Sequence, residues 1–279
     1  MVVSRQSRDH RGIQRWIWGV AAAGLLLSHG VGGVAQQLPQ VVQPDSVAYT
    51  TAQQSALSGA TAELERVLAD RALGVHRALG EKGWGSLQFA TFTAGSLENL
   101  GYKVAIVSAQ WPDGEHACVL VGVDVGGVTA WVPVEATPAP GAIQEGLGRI
   151  PWDGTSHFDA RYAQFEEIVQ LGQNEAPVAG FRGPTAAAYT GTDVTFVAMT
   201  SHDPDGEIVL YLWAVDDTNG WTTTKTMSFD HTFETDVPHK VTLTVVDNRG
   251  ARATAELTVQ VYSLDSEGKK SSSWCGCGS

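Results

Sequence analysis

The chain has 279 residues, of which 43% are hydrophobic and 17% charged, a composition that supports packed cores and excludes a disordered or collagen-like bulk. Its formal net charge of −12, from 18 basic against 30 acidic residues, lacks the basic surplus that nucleic acid or an anionic membrane surface requires of a partner. At this length one or two domains are expected, and two is the working number.

Arg5, Arg8, Arg11 and Arg15 precede an apolar run over residues 16–27, and Gly33, Val34 and Ala35 place small residues before Gln36. That is the pattern of a secretory signal peptide over residues 1–35, predicting an exported protein, extracellular or in the cell envelope. The run is shorter than the roughly 20 apolar residues a membrane-crossing helix needs, so no membrane span is expected in the mature chain. Only Cys118, Cys275 and Cys277 occur, an odd count that provides no disulfide framework. Folding then depends on apolar burial.

Residues 36–57 are rich in Gln, Pro, Val, Ser and Thr without a helical period and are expected to form an extended leader. From Ser58 onward Leu64, Val67, Leu68, Val75 and Leu79 recur at helical spacing, predicting an amphipathic helix with a break near Gly74. A second helix is predicted over residues 86–100, with Ala90, Ala94 and Leu97 on one face and Gly101 at the stop position. Three β-type runs follow at residues 103–109, 117–123 and 128–134, separated by Pro112-Asp113-Gly114 and by Gly126-Gly127. A closing helix is predicted over residues 161–171, directing Tyr162, Phe165, Ile168 and Val169 to the first domain. Helices followed by an antiparallel sheet make residues 58–173 an α+β domain. Beyond a boundary near Asn174, alternating runs at Val194, Phe196 and Ala198, at Val241, Leu243 and Val245, and at Leu257, Val259 and Val261 predict an all-β sandwich over residues 174–262. Residues 263–279, ending in WCGCGS, cannot build a core and are expected to be a disordered tail.

The second domain resembles the PKD repeat, an Ig-like sandwich. The resemblance rests on NEAPVAGF at 174–181, GTDVTF, SHDPDGEIVLYLW and VTLTVVDNRGARATAELTV, and it covers nearly all of residues 176–262. It implies a spacer or a binding module for extracellular protein or polysaccharide rather than chemistry. Within it, Asp203-Pro204-Asp205-Gly206 is a tight-turn sequence and Trp213 a core candidate. Asp203, Asp205 and Asp230 offer carboxylates suited to calcium, although an Asp-rich turn also satisfies its own backbone amides. No other cofactor is implied.

The first domain is similar over residues 86–137 to the bacterial transglutaminase-like family, whose working residues come in the order Cys, His, Asp. The family cysteine opens a helix of the type C-x-x-F-A; here the helix reads SLQFATFTAGSLENLG, with Ser86 in the cysteine's place. The family H-A-W-V strand corresponds to GEHACVLV, giving His116 and placing Cys118 at the tryptophan position, and W-x-x-V-D-x-T corresponds to WVPVEATP, giving Glu135. The resemblance implies a site that has lost its nucleophile, because a cysteine beside a histidine at a helix N-terminus is readily held as thiolate and a serine is not. On this basis the chain is expected to be a pseudoenzyme that binds or spaces. The alternative is a hydrolase or acyl transferase in which Glu135 orients His116 and His116 activates Ser86. Cys118, two residues from His116 on a strand, shares its face and is either a substitute nucleophile or a buried hydrophobe. Cys275 and Cys277 are candidates for lipidation, cross-linking or sorting.

Overall fold

The computed structural model describes residues 38–41, 49–70, 83–138, 146–152, 158–217, 222–224 and 226–263. The predicted signal peptide, Gly74, and the tail with Cys275 and Cys277 lie outside the described residues. Among the described residues no helix is long and apolar enough to cross a membrane.

Helix α1 spans Thr51–Leu68, so it starts inside the stretch expected to be an extended leader. The cause is a capping box: the Thr50 hydroxyl accepts from the Gln53 N–H at 3.2 Å, and the Gln53 side chain accepts from the Thr50 N–H at 3.0 Å. Leu57, Leu64 and Leu68 form its buried stripe. The leader is also docked further upstream, where Val41 bridges in parallel to Trp131. Helix α2 spans Ser86–Glu98; the Gln88 side chain reaches back to accept from the Gly85 N–H at 3.0 Å. Phe89, Ala90, Phe92, Thr93, Ala94, Ser96 and Leu97 are all buried, so α2 is covered on most of its circumference.

Strands β1 (Lys103–Trp111), β2 (Gly114–Asp124) and β3 (Thr129–Val134) form an antiparallel meander with β4 (Glu167–Ile168) on the outer edge of β1, in the order β3-β2-β1-β4. The helix predicted over residues 161–171 is replaced by a 3-10 turn at Ala160–Ala163 followed by β4. The free edge of β1 decides this: Glu166 N–H donates to Ser108 O at 2.9 Å and Val169 N–H to Ile106 O at 2.8 Å, pairing that β-branched Ile168-Val169 favours. One sheet face carries Ala117, Val119 and Val121 into the core shared with α1 and α2. The other carries Cys118 and Leu120 towards Val107, Tyr162, Phe165 and Ile168.

The remaining strands are β5 (Ala188–Tyr189), β6 (Asp193–Val197), β7 (Ile208–Val215), β8 (Thr222–Thr224), β9 (Ser228–Thr232), β10 (Pro238–Asp247) and β11 (Arg252–Tyr262). Five of them form a sheet in the order β5-β11-β10-β7-β8, which packs on the pair β6-β9. Between the sheets lie Phe196, Trp213, Phe229, Phe233, Val241, Leu243 and Val245; Trp213 is 0% exposed. The outer face of β7 is apolar as well. Leu210 and Leu212, with Val246 of β10, join the same buried cluster as Phe92 and Leu97 of α2, so the described residues from Leu38 onward form a single compact unit. Two glycines permit the contact: a Cβ at Gly95 would lie 1.7 Å from Arg249 O, and Gly250, at φ +82°, leaves no room for one against Phe92 O. Asn99 Nδ2 donates to Gly250 O at 3.1 Å, and Arg249 donates to the carbonyls of Gly172 and Gln173 in the connecting segment.

Candidate functional site

Ser86, His116 and Glu135 come from three separate elements. Ser86 is the first residue of α2, His116 lies near the start of β2, and Glu135 follows β3 directly. Backbone bonds fix Glu135: its N–H donates to Arg149 O at 2.8 Å and its carbonyl accepts from Arg149 N–H at 2.9 Å. Its carboxylate is buried, at 4% exposure, and fully engaged. Oε2 takes His116 Nε2 at 2.8 Å and the Tyr162 hydroxyl at 2.6 Å, while Oε1 takes the Thr137 N–H at 2.7 Å. Burial pushes the Glu135 carboxyl up, but the bonds from His116, Tyr162 and Thr137 together outweigh it, and the net shift is downward. An ionised Glu135 only accepts, so Nε2 of His116 carries a proton and a neutral ring presents its Nδ1 lone pair away from Glu135.

Ser86 sits at the positive end of the α2 dipole. Its Oγ accepts from the Ala117 N–H at 3.1 Å, and among the described residues no hydrogen bond joins it to the His116 ring. The histidine is covered on one face by Trp111, stacked at 4.1 Å and 21°. Trp111 is held in turn by the edge of Tyr162 at 5.2 Å and by the Arg161 guanidinium, 4.9 Å from the ring centroid, which is itself paired with Asp159 at 2.7 Å. Trp111 and Tyr162 complete the site, and sequence reasoning missed both as site residues. Burial first, then the Glu135 bond and charge, push the Tyr162 phenol well above its ordinary value, so it remains a neutral donor.

Cys118 is 0% exposed, among Val107, Leu120 and Tyr162. Burial, reinforced by the Glu135 charge, raises its thiol well above the ordinary range, which is the opposite of an activated nucleophile. It is a small core hydrophobe.

The three aspartates considered for calcium divide into two places. Asp203 and Asp205 occupy the turn after Ser201-His202 and face Asp247 and Asn248: Glu175 N–H donates to Asp205 Oδ1 at 3.1 Å, Asn174 Nδ2 to Asp247 Oδ2 at 2.8 Å, and Asn248 Oδ1 accepts from Glu207 N–H at 3.3 Å. Asp203 Oδ2 is buried without a hydrogen-bond partner among the described residues. Burial is the main cause of a raised Asp203 carboxyl; the Asp247 and Asp205 charges add to it, and the Asp205 and Gly206 N–H groups oppose it. Asp230 is elsewhere, on β9, accepting from the Thr195 hydroxyl at 2.6 Å, and does not belong to this group.

The C-terminal region is thus a β-sandwich module of Ig-like character, packed against an α+β layer that carries a His–Glu pair. Residues 174–261 match the family model described as the PKD domain. Over 93 residues the chain is 37% identical to the collagenase ColQ1 of Bacillus cereus (strain Q1), a match covering 32% of this chain and 9% of that protein. Over 103 residues it is 35% identical to a microbial collagenase of Vibrio alginolyticus, covering 37% of this chain and 12% of the relative. The chain therefore matches only about a tenth of the length of these curated relatives. Among solved structures, the PKD1 domain of Vibrio anguillarum Epp is 35% identical, with a TM-score of 0.27, covering 32% of this chain and 96% of that one.

Proposed function

We propose that the protein is an exported binding or spacer protein of the cell envelope or extracellular space. In this reading a transglutaminase-like domain lacking the family cysteine is coupled to a PKD module that contacts extracellular polypeptide or polysaccharide. The observation that carries the non-catalytic half is that Ser86 Oγ accepts from the Ala117 N–H and, among the described residues, makes no hydrogen bond to the His116 ring. A serine needs its base in contact to become a nucleophile at neutral pH, whereas a thiol at the same helix end ionises with far less help. The match of residues 174–261 to the PKD domain model, together with the likeness of about a third of the chain to two collagenases, supports the binding half. Calcium binding at Asp203 and Asp205 belongs to the same reading, supported by the orphaned Asp203 oxygen among mutually repelling carboxylates.

The competing reading, a hydrolase or acyl transferase using Ser86, His116 and Glu135, draws on the intact 2.8 Å His116–Glu135 bond. Two measurements separate the readings. Wild-type protein exposed to a fluorophosphonate should carry no adduct on Ser86, and stoichiometric labelling there would overturn the non-catalytic reading. The Ser86→Cys variant should gain a thiol that iodoacetamide alkylates at pH 6, at a rate falling at least tenfold when His116→Ala is added. Co-sedimentation with fibrillar collagen and with insoluble cellulose tests the binding half; retention on neither leaves only the spacer.

A further inference from the structure

A second group of titratable side chains lies in the sandwich, away from the His116–Glu135 pair. β7 ends at Val215, and the next two residues are Asp216 and Asp217. Pairing of Val241 with Val215 brings the start of β10 alongside them, and Asp216 N–H donates to Lys240 O at 3.1 Å while Lys240 N–H donates to Asp216 Oδ2 at 2.8 Å. His239, one residue earlier, therefore points at the two carboxylates. Its Nδ1 lies 2.9 Å from Asp216 Oδ1 and 4.0 Å from Asp217 Oδ2. Ligand atoms from Asp216, Asp217 and His239 all fall within 4.8 Å of one another.

We propose that Asp216, Asp217 and His239 form a site for a divalent first-row transition ion, with zinc as the representative probe. Ions of this class take imidazole nitrogen and carboxylate oxygen at about 2.0–2.2 Å in a tetrahedron, which sets ligand atoms roughly 3.3–3.5 Å apart. The 2.9 and 4.0 Å separations bracket that edge, so small side-chain rotations suffice. A nitrogen ligand disfavours calcium and magnesium, which select oxygen.

The surroundings have the form of a ligand-orienting shell. His239 is 4% exposed and stacks on Phe233 at 4.9 Å and 29°, which locks its ring plane. Its Nε2 meets Thr235 Oγ1 at 2.9 Å and Thr235 O at 3.2 Å; an Nε2–H donated to that carbonyl leaves the Nδ1 lone pair for the ion. His231 Nε2 holds Asp217 Oδ2 at 3.1 Å, and its ring is set against Phe233 at 4.8 Å and 79°. His231 is a positioning residue that acts through Asp217.

Without an ion, the 2.9 Å contact of Nδ1 with a carboxylate oxygen requires a proton on Nδ1. The ion takes that proton's place: from an imidazolium the proton leaves to solvent, and from a neutral ring it is replaced by one on Nε2, donated to Thr235 O. Asp216 is 43% and Asp217 20% exposed at the side chain, so the fourth position faces solvent and is open to water or to a donor from another molecule.

The test is isothermal titration of the full chain with zinc at pH 7.5, in a Cys275→Ser, Cys277→Ser background that removes the tail thiols as ligands. One equivalent should bind, raising the melting temperature. His239→Gln and Asp217→Asn should each weaken it at least tenfold, and His231→Gln about tenfold, the usual size of an outer-shell loss. Asp217→Asn keeps the test decisive should His239→Gln fail to fold. No bound equivalent, or one whose affinity is unchanged by Asp217→Asn with native circular dichroism, would overturn the proposal.

Discussion

Replacing Glu135 by Gln keeps the volume and removes the charge at the centre of the site. Three bonds converge on the carboxylate, from His116 Nε2, the Tyr162 hydroxyl and the Thr137 N–H. A hydrogen bond to a charged group is worth about 1.5–3 kcal/mol and a neutral one about 0.5–1.5 kcal/mol, so the three weaken by roughly 3 kcal/mol together. Relief of the carboxylate's desolvation returns part of this, leaving a net loss of about 2 kcal/mol at pH 7. With a urea slope of about 2 kcal/mol per molar, the unfolding midpoint should fall by about 1 M. The pH dependence discriminates. Because the folded-state pKa of Glu135 is below the unfolded value, its contribution is present above the unfolded carboxylate range and disappears as pH falls through the folded pKa. Urea titrations of wild type and Glu135→Gln should therefore converge in acid. A gap at pH 7 that persists unchanged at low pH, or no gap at all, would refute the assignment of a buried, ionised carboxylate.

Gly95→Ala should destabilise by roughly 2 kcal/mol in thermal or urea unfolding, although Ala in an exposed helix stabilises by about 1 kcal/mol, because its Cβ would meet Arg249 O at 1.7 Å. Cys118 should remain unlabelled by iodoacetamide in the native protein, with modification mapped by mass spectrometry, and Cys118→Ser should lose about 1–3 kcal/mol by burying a hydroxyl among Val107, Leu120 and Tyr162. Calcium should raise the melting temperature of wild type, and Asp203→Asn should abolish that rise; Asp230→Asn should leave it intact, since Asp230 bonds Thr195 on a different pair of strands.

The strands were legible because alternation is a local signal. Residues 103–109 and 117–123 lie within the observed β1 and β2, 128–134 starts one residue before β3, and Val241, Leu243 and Val245 do face the sandwich core. The failures were at places where a distant partner decides. The helix expected over residues 161–171 has the right apolar spacing, but the unpaired edge of β1 captures Glu167–Ile168. The start of α1 was hidden in polar composition, although Thr50 and Gln53 are a capping-box pair at the required spacing. Ser86, His116 and Glu135 were found through short motifs; Trp111 and Tyr162 belong to no motif and reach His116 and Glu135 only through the fold. His239 left one readable trace. It continues the inward positions 241, 243 and 245 of β10, where an apolar residue is expected, and a histidine there requires a polar partner that only the structure supplies.

The packing of α2 bears on what the sandwich can do. A module joined only by a linker reorients freely, and contact through such a domain carries little positional information. Here Leu210, Leu212 and Val246 are buried in the same cluster as Phe92 and Leu97, and Arg249 anchors the connecting carbonyls at Gly172 and Gln173. Opening that contact exposes those apolar side chains at about 1.5–3 kcal/mol for each one fully buried, so the closed arrangement dominates. α2 itself carries Ser86 at one end and Gly95 against Arg249 at the other. A ligand held by the sandwich is therefore held at a set position relative to the His116–Glu135 pair, which a flexible spacer would not provide.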